Sequence, residues 1–463
     1  MAGIFSDGVA QVRPGSYFNV STSDGSSVVG AQDGIAAVVF SGTFGPLNEI
    51  RELTGENEAY AIYGDGGQVD AVQLAFMGGA KKVLAIRVGN EGTAAKAQLG
   101  EIATITARYP GTRSFSVTVK DSLTEEHQKA VTFYAGSKVL EAYSIAKNGS
   151  TEGAALKAAM EKSANFTVKV DTDGALPDVA QQAFTVGTDP TVTVDSYQAG
   201  FERLESVYCN AVCVATEETT VHLLLKSFLD RSYDSGFYAC GVVAEKSSVA
   251  LEDRISHAMT YNDEKMIYLL NAAGSRLDQE LNGYQMAAIV AGMYAAYPSS
   301  KSLTHKVLNG VTELKDVLTA SQMNNAETKG CLVLSRSAEG KVWIDNAINT
   351  LAQLPEDKDA GWKKIRRTKT RFELMYRMNV TADSLVGNVD NDKNGRETVI
   401  AQLNEVGAAM VQEGKLVSCT VSEHPDRAAN ADYAYFLIEV VDKDSLEHLY
   451  LYYKFSYNTS EEG

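Results

Sequence analysis

Basic charge is in short supply: 42 Lys and Arg face 59 Asp and Glu, a net charge of −17. A general nucleic-acid binder needs a basic face that releases counterions, so this balance disfavours that class while allowing a local basic patch. Cysteine is also scarce, with Cys209, Cys213, Cys240, Cys331 and Cys419 in 463 residues, which is no disulfide framework. Four of the five sit in apolar runs and read as buried reduced thiols. Cys209 and Cys213 are spaced C-x3-C, not the C-x2-C of a zinc site, and no matching His pair follows. Long apolar runs are missing: the longest, Tyr284 to Tyr297, falls short of the ~17–25 residues a spanning helix needs. No basic stretch followed by an apolar core opens the chain, so no secretory signal is expected. The expectation is a soluble protein of a reducing cytoplasm, in which the sequons at Asn148, Asn165, Asn379 and Asn458 are chance.

Enzyme signatures are absent too. There is no G-x4-G-K-[ST] loop, no H-E-x-x-H and no G-x-S-x-G. His127, His222, His257, His305, His424 and His448 are scattered without ligand or triad spacing. Gly42-Thr43-Phe44-Gly45 follows a strand but lacks the G-x-G-x-x-G spacing, so it reads as a tight turn rather than a dinucleotide site. Asp390-Asn391-Asp392-Lys393-Asn394-Gly395 matches the first half of an EF-hand loop, but the position that needs a bidentate Glu is Ala401. A polar turn is expected there, with Asn394 and Glu397 forming a capping box for the helix that follows.

What is present is the make-up of a folded protein, 44% hydrophobic and 22% charged, about three times the ~150-residue length prior for one domain. The expected fold is a multi-domain α/β (α+β) one. Residues 1–33 read as an extended arm with short strand pieces around Tyr17-Phe18-Asn19-Val20. Residues 34–95 and 196–328 alternate buried strands with helices, which implies a mostly parallel sheet. One of these helices, Leu281 to Ala296, is dense in Ala and Gly, which permits close packing. Residues 96–195 interrupt this rhythm with short alternating segments and one helix, and are expected to form a β-rich inserted domain, a sandwich. Residues 329–445, opened by a hairpin, make a C-terminal helix-and-strand domain, and 446–463 a terminal arm strand.

Two features stand out from this frame. Trp362 to Arg377 holds seven basic residues (Lys363, Lys364, Arg366, Arg367, Lys369, Arg371, Arg377) against one acid, Glu373. Such a run is either a solvated helix face or a docking surface for an acidic partner. No aromatic platform accompanies it, as single-strand binding would need. The second feature is the C-terminal strand. Leu449, Leu451, Tyr453, Phe455 and Tyr457 alternate with Tyr450, Tyr452, Lys454 and Ser456. An aromatic strand at this end of the chain either closes its own sheet or adds to a neighbour's edge.

Four stretches together resemble a known family. Pro14-Gly15-Ser16-Tyr17-Phe18-Asn19-Val20 is similar to a PG-x-Y arm opening. Phe40-Ser41-Gly42-Thr43-Phe44-Gly45-Pro46 is similar to a strand followed by a G-x-x-x-GP turn, one residue shorter here. Gly78-Gly79-Ala80-Lys81-Lys82-Val83-Leu84-Ala85-Ile86-Arg87-Val88 is similar to the strand that follows. Gly340 to Leu351, with Arg367-Thr368 and Val386-Gly387-Asn388-Val389, is similar to the C-terminal domain. The family these stretches resemble is the tail sheath proteins of contractile phages and phage-tail-like particles, especially those of Gram-positive defective prophages and bacteriocins.

The resemblance implies a structural subunit, not an enzyme, that stacks as hexameric rings around an inner tube and contracts irreversibly to drive the tube through a target envelope. It implies assembly in a bacterial cytoplasm into a virion tail or a released particle. The implied partners are other copies of the chain, the inner tail tube protein, and baseplate and tail terminator proteins, with no nucleic acid, no membrane insertion and no cofactor. Tyr17, Phe18, Val20, Leu449, Leu451, Tyr453, Phe455 and Tyr457 are then expected to pair between subunits. Lys363, Lys364, Arg366, Arg367, Lys369 and Arg371 are expected to face the tube. The alternatives are another self-assembling shell protein with exchanged arms and, further off, an α/β nucleotide-binding enzyme.

Overall fold

The computed structural model describes residues 3–4, 17–18, 33–277 and 279–456. Apolar runs such as Ile35–Phe40 and Lys82–Arg87 make strands buried on both faces. Successive side chains of a strand point to opposite faces, so a continuous apolar run serves two cores. Ala36, Val38 and Phe40 enter one core; Ala37 and Val39 enter the other.

These strands belong to an eight-stranded sheet, in the order Val342–Asn346, Cys331–Arg336, Met266–Leu269, Cys240–Val243, Ala211–Val214, Ile35–Phe40, Lys82–Arg87, Ile50–Leu53. The interior pairings are parallel and only the two edge pairings are antiparallel. Helices Asp70–Gly78 and Gly283–Ala296 supply the core on one face, and Val194–Glu202, Thr219–Asp234 and Leu251–Tyr261 that on the other. The helix rich in Ala and Gly packs as expected: a Cβ on Gly292 would lie 2.0 Å from the Ala75 carbonyl oxygen.

The hairpin assigned to the C-terminal domain belongs instead to this sheet. Cys331–Arg336 pairs parallel with Met266–Leu269, and its first four residues are all buried. Those residues are apolar on both faces, which suits a sheet interior better than a peripheral hairpin.

The insertion is a sandwich, as expected. A four-stranded sheet and a three-stranded sheet enclose a core of its own, with Phe115, Phe133, Phe166 and Phe184 at its centre. Its entry and exit strands bridge at Asn90–Thr191, Thr93–Thr188 and Lys96–Thr185, so the chain returns where it left. Phe44 of the main domain also lies in this core. Replacing residues 92–189 by a short linker, with Phe44→Ser, is expected to leave a soluble remainder with one cooperative thermal transition. If that deletion yields only aggregate where the intact chain is soluble, the insertion is not a separate unit.

The Gly42–Gly45 turn is held from within. Gly45 has φ +100°, a conformation that glycine adopts at little cost. The buried Arg87 donates to the carbonyls of Gly42 (2.9 Å), Gly45 (2.8 Å) and Pro110 (3.0 Å). The guanidinium ties the turn to the sheet and to Pro110 of the insertion.

Helices Ile365–Leu385 and Lys393–Gln412 pack with the hairpin Leu416–Glu423/Phe436–Asp442 around a small C-terminal core of Leu374, Met378, Leu403, Val406, Met410, Leu416 and Val421. The expected capping box at Asn394 gives way to Asp392, whose carboxylate accepts from the Gly395 N–H at 2.7 Å. An aspartate at the N-cap satisfies a free N–H and opposes the positive end of the helix dipole.

Candidate assembly site

Among the described residues no cluster of His, Cys, Asp and Glu could hold a metal ion, and no helix is long and apolar enough to cross a membrane. The five cysteines are free, and burial pushes the thiols of Cys209, Cys213, Cys240 and Cys331 up to about 12, away from thiolate chemistry. An open cleft between the insertion and the main domain brings Asp65, Arg113 and Lys138 together, with no His or Cys in its lining. The surfaces that stand out are the basic helix and the C-terminal tail.

The basic helix, Ile365–Leu385, spans two cores. Ile365 and Phe372 sit in the α/β core, while Leu374 and Met378 sit in the C-terminal core. A helix clamped on both sides has little solvated face left, and its cations find partners inside the chain. The expected tube-facing surface is therefore not present as an exposed basic face. Lys363 donates to the carbonyls of Glu327 (2.6 Å) and Thr328 (3.0 Å). Lys364 pairs with Asp444 (2.9 Å) and Glu447 (3.0 Å). Arg366 donates to Ser445 Oγ at 2.7 Å, and Arg367 pairs with Asp442 at 2.7 Å and Asp359 at 3.3 Å. Arg371 pairs with Glu264 at 2.7 Å and lies 3.9 Å from the centre of the Trp362 ring.

Lys369 is the most deeply placed. Its ammonium donates to the carbonyls of Tyr294 (2.7 Å), Ala295 (3.0 Å) and Tyr297, and pairs with Asp33 at 3.0 Å. These carbonyls end the Gly283–Ala296 helix, where the last turn lacks intrahelical donors and carries the negative end of the dipole. Burial lowers the Lys369 pKa from its ordinary value, and Asp33 opposes that shift.

Farther along, Glu373 accepts from Ser299 (2.5 Å), Lys415 (2.6 Å) and Arg377 (2.5 Å). Glu373, Arg377 and Lys415 are at most 6% exposed. Glu413 closes the group, and Arg377 and then Lys415 hold its carboxyl at about 2 against the opposing effect of burial.

The C-terminal strand is not formed within the chain. Residues 449–456 have no regular secondary structure, and Leu449, Tyr450, Leu451, Tyr452, Tyr453 and Phe455 are each at least 62% exposed. A β-strand is stable only against an edge that takes up its N–H and C=O groups, and among the described residues none meets it. Tyr17–Phe18 pairs parallel with Gly3–Ile4, while Val20 and Tyr457 lie outside the described residues. The hairpin Leu416–Glu423/Phe436–Asp442 is a two-stranded sheet, so among the described residues each of its strands has an edge without a partner. Val417 (57%) and Val441 (53%) are exposed on it.

The acids that meet the basic helix were not singled out from the sequence. The signal was there in Asp442, Asp444 and Glu447, an acidic cluster late in the chain that complements an isolated basic one.

Comparison with known proteins gives these surfaces a context. Residues 191–350 match the family model of the phage tail sheath protein central domain. The chain is 22% identical over 385 residues, 78% of each protein, to the uncharacterised protein YqbK of Bacillus subtilis (strain 168). Its fold is similar to the sheath tail protein of Desulfitobacterium hafniense, with TM-score 0.72, 16% identity, and coverage of 93% of this chain and 100% of that one. It is also similar to the sheath tail protein of Listeria innocua, with TM-score 0.69, 18% identity, and coverage of 90% and 96%. The contracted helical sheath of the anti-feeding prophage gives TM-score 0.54 at 12% identity, over 96% of this chain and 99% of that one.

Proposed function

We propose that the chain is the subunit of a contractile sheath, a reading supported by the match of residues 191–350 to the phage tail sheath central domain and by a fold similar to that of sheath tail proteins. The subunit polymerises as stacked hexameric rings around an inner tube. Irreversible contraction then drives the tube through a target envelope. Its partners are further copies of itself, the inner tail tube protein, and the baseplate and tail terminator proteins. Assembly takes place in a bacterial cytoplasm, and the product is a virion tail or a released particle.

The observation that carries this reading is the tail. An exposed, alternating aromatic segment, 449–456, emerges from a subunit that also has a hairpin with open edges. Open edges and unpaired aromatic strands are aggregation hazards that proteins keep when something pairs with them. Inter-subunit strand addition satisfies both, with main-chain hydrogen bonds for adhesion and alternating side chains for the choice of face. The N-terminal segment through Tyr17, Phe18 and Val20 offers a second such arm. Arms of this kind stay joined while the subunit bodies rotate. The basic residues of the Ile365–Leu385 helix are engaged inside the subunit, and the tube contact is not assigned to them.

Deleting 446–463, or 1–20, is expected to give folded monomers that form no sheath. Circular dichroism and size exclusion establish the monomer, and electron microscopy with tube protein present tests assembly. Tubes or stacked rings from the intact chain support the sheath, whereas closed shells point to a generic shell protein. Contractile tubes from a truncated chain would show that strand exchange is not the essential link.

A further inference from the structure

Asp33 and the root of the C-terminal tail are held by neighbouring residues of one helix start. Asp33, at the end of the N-terminal arm, is held by Lys369. Two turns or less back along the same helix, Lys364, Arg366 and Arg367 hold Asp444, Glu447, Ser445 and Asp442 at the root of the C-terminal tail. Glu447 is the centre of this contact. Its side chain is 9% exposed, and its carboxylate pairs with Lys364 and accepts from Ser302 Oγ (2.8 Å) and Thr304 Oγ1 (3.2 Å). Lys364 and the Ser445 N–H hold Asp444 below the usual carboxylate range, although burial opposes them.

Apolar packing does not fix this stretch. Residues 443–450 have no regular secondary structure, Leu446 is 81% exposed and Leu449 is 69% exposed. The side chains there that are not exposed are Ser445 and Glu447, and both are held through polar contacts. The direction in which the tail departs is therefore set by charge.

We infer that the start of the Ile365–Leu385 helix is a charge clasp whose residues Lys364, Arg366 and Arg367 are positioning residues for the C-terminal arm. They grip its root, 442–447, so that the strand-forming segment beyond it leaves the body on a defined course, next to the root of the N-terminal arm. The use of that course in assembly rests on the sheath reading; the clasp does not. Ion pairs at the rim of a protein surface are individually modest and weaken with salt. A clasp made of several holds the root firmly at low salt yet gives way without unfolding the body.

The mobility of a nitroxide at Leu446→Cys, in the full chain with Cys419→Ser, tests the inference. Lys364→Glu, and separately the milder Glu447→Gln, are expected to shorten the label's correlation time by about threefold, with the thermal midpoint of the body unchanged. Raising sodium chloride from 50 mM to 1 M should move the wild-type spectrum in the same direction. The charge swap Lys364→Glu with Asp444→Lys and Glu447→Lys should restore part of the immobilisation. On tubes, Lys364→Glu should slow sheath assembly by a similar factor, and the swap should recover it. Equal label mobility in wild type and both variants would overturn the clasp. A freed label with an unaltered assembly rate would overturn its positioning role. If the wild-type chain forms no sheath at all, the sheath reading fails, and the label data still decide the clasp.

Discussion

Glu373→Ala is expected to lower the free energy of unfolding by about 3–5 kcal/mol, the loss typical when one partner of a buried ion pair is removed. Glu373 is 6% exposed and serves Ser299, Lys415 and Arg377 at once. Its removal strands two cations at 1% and 5% exposure, with only Glu413 left to compensate them. The cost comes from that stranding rather than from the net worth of the pairs. Replacing Glu373, Arg377 and Lys415 together by apolar residues of similar volume should therefore cost far less than the single change. Because the helix joins two cores, Glu373→Ala should also separate the melting of 386–442 from that of the α/β domain. Chemical denaturation followed by exchange mass spectrometry reads both. A loss under about 1 kcal/mol would mean that the carboxylate is solvated and the network is not closed.

Gly292→Ala is expected to destabilise the chain by about 3 kcal/mol, or to abolish soluble expression. In an isolated helix the change would favour folding by about 1 kcal/mol. Here the added Cβ would lie 2.0 Å from the carbonyl oxygen of Ala75 and 2.8 Å from its carbon. On the other side of the crossing a Cβ on Gly78 would lie 2.2 Å from the carbonyl oxygen of Ile289. Backbone meets backbone at this point, so no rotamer change relieves the clash. The two helices would have to move apart over a core in which Val72, Ala75, Ile289 and Met293 are at most 3% exposed. The steric cost exceeds the gain in propensity. If Gly292→Ala raises the denaturation midpoint, the helices do not cross this closely.

Much of the fold was legible because it depends on local periodicity. Ile35–Phe40, Lys82–Arg87 and Ala211–Val214 are uninterrupted apolar runs, and such runs become strands covered on both faces. The change to alternating patterns near residue 96 marked the sandwich, since a sheet with one dry face needs period two. The Ala and Gly content of Gly283–Ala296 forecast its close crossing. Where period alone was insufficient, the reading failed. Cys331–Arg336 has the same local pattern in a peripheral hairpin as in the main sheet, and only its pairing with Met266–Leu269 decides between them.

Charge was the least legible property. A run of Lys and Arg looks the same in sequence whether it faces water or acids folded against it from elsewhere in the chain. Arg366 meets Ser445 across 79 residues, Arg371 meets Glu264 across 107, and Lys369 meets the end of a helix 74 residues before it. Those meetings are made by chain closure, which no local window contains. The tail errs in the opposite sense. The alternation of Leu449, Leu451, Tyr453 and Phe455 supplies a strand's side chains, but a strand also needs an edge, and edges belong to tertiary and quaternary structure. The sequence by itself determined which segments would be strands, helices and inserted sandwich, because side-chain period and backbone geometry are local. Only the tertiary structure decided which charges are spent within the subunit and which surface remains for another, because both depend on what the closed chain brings alongside.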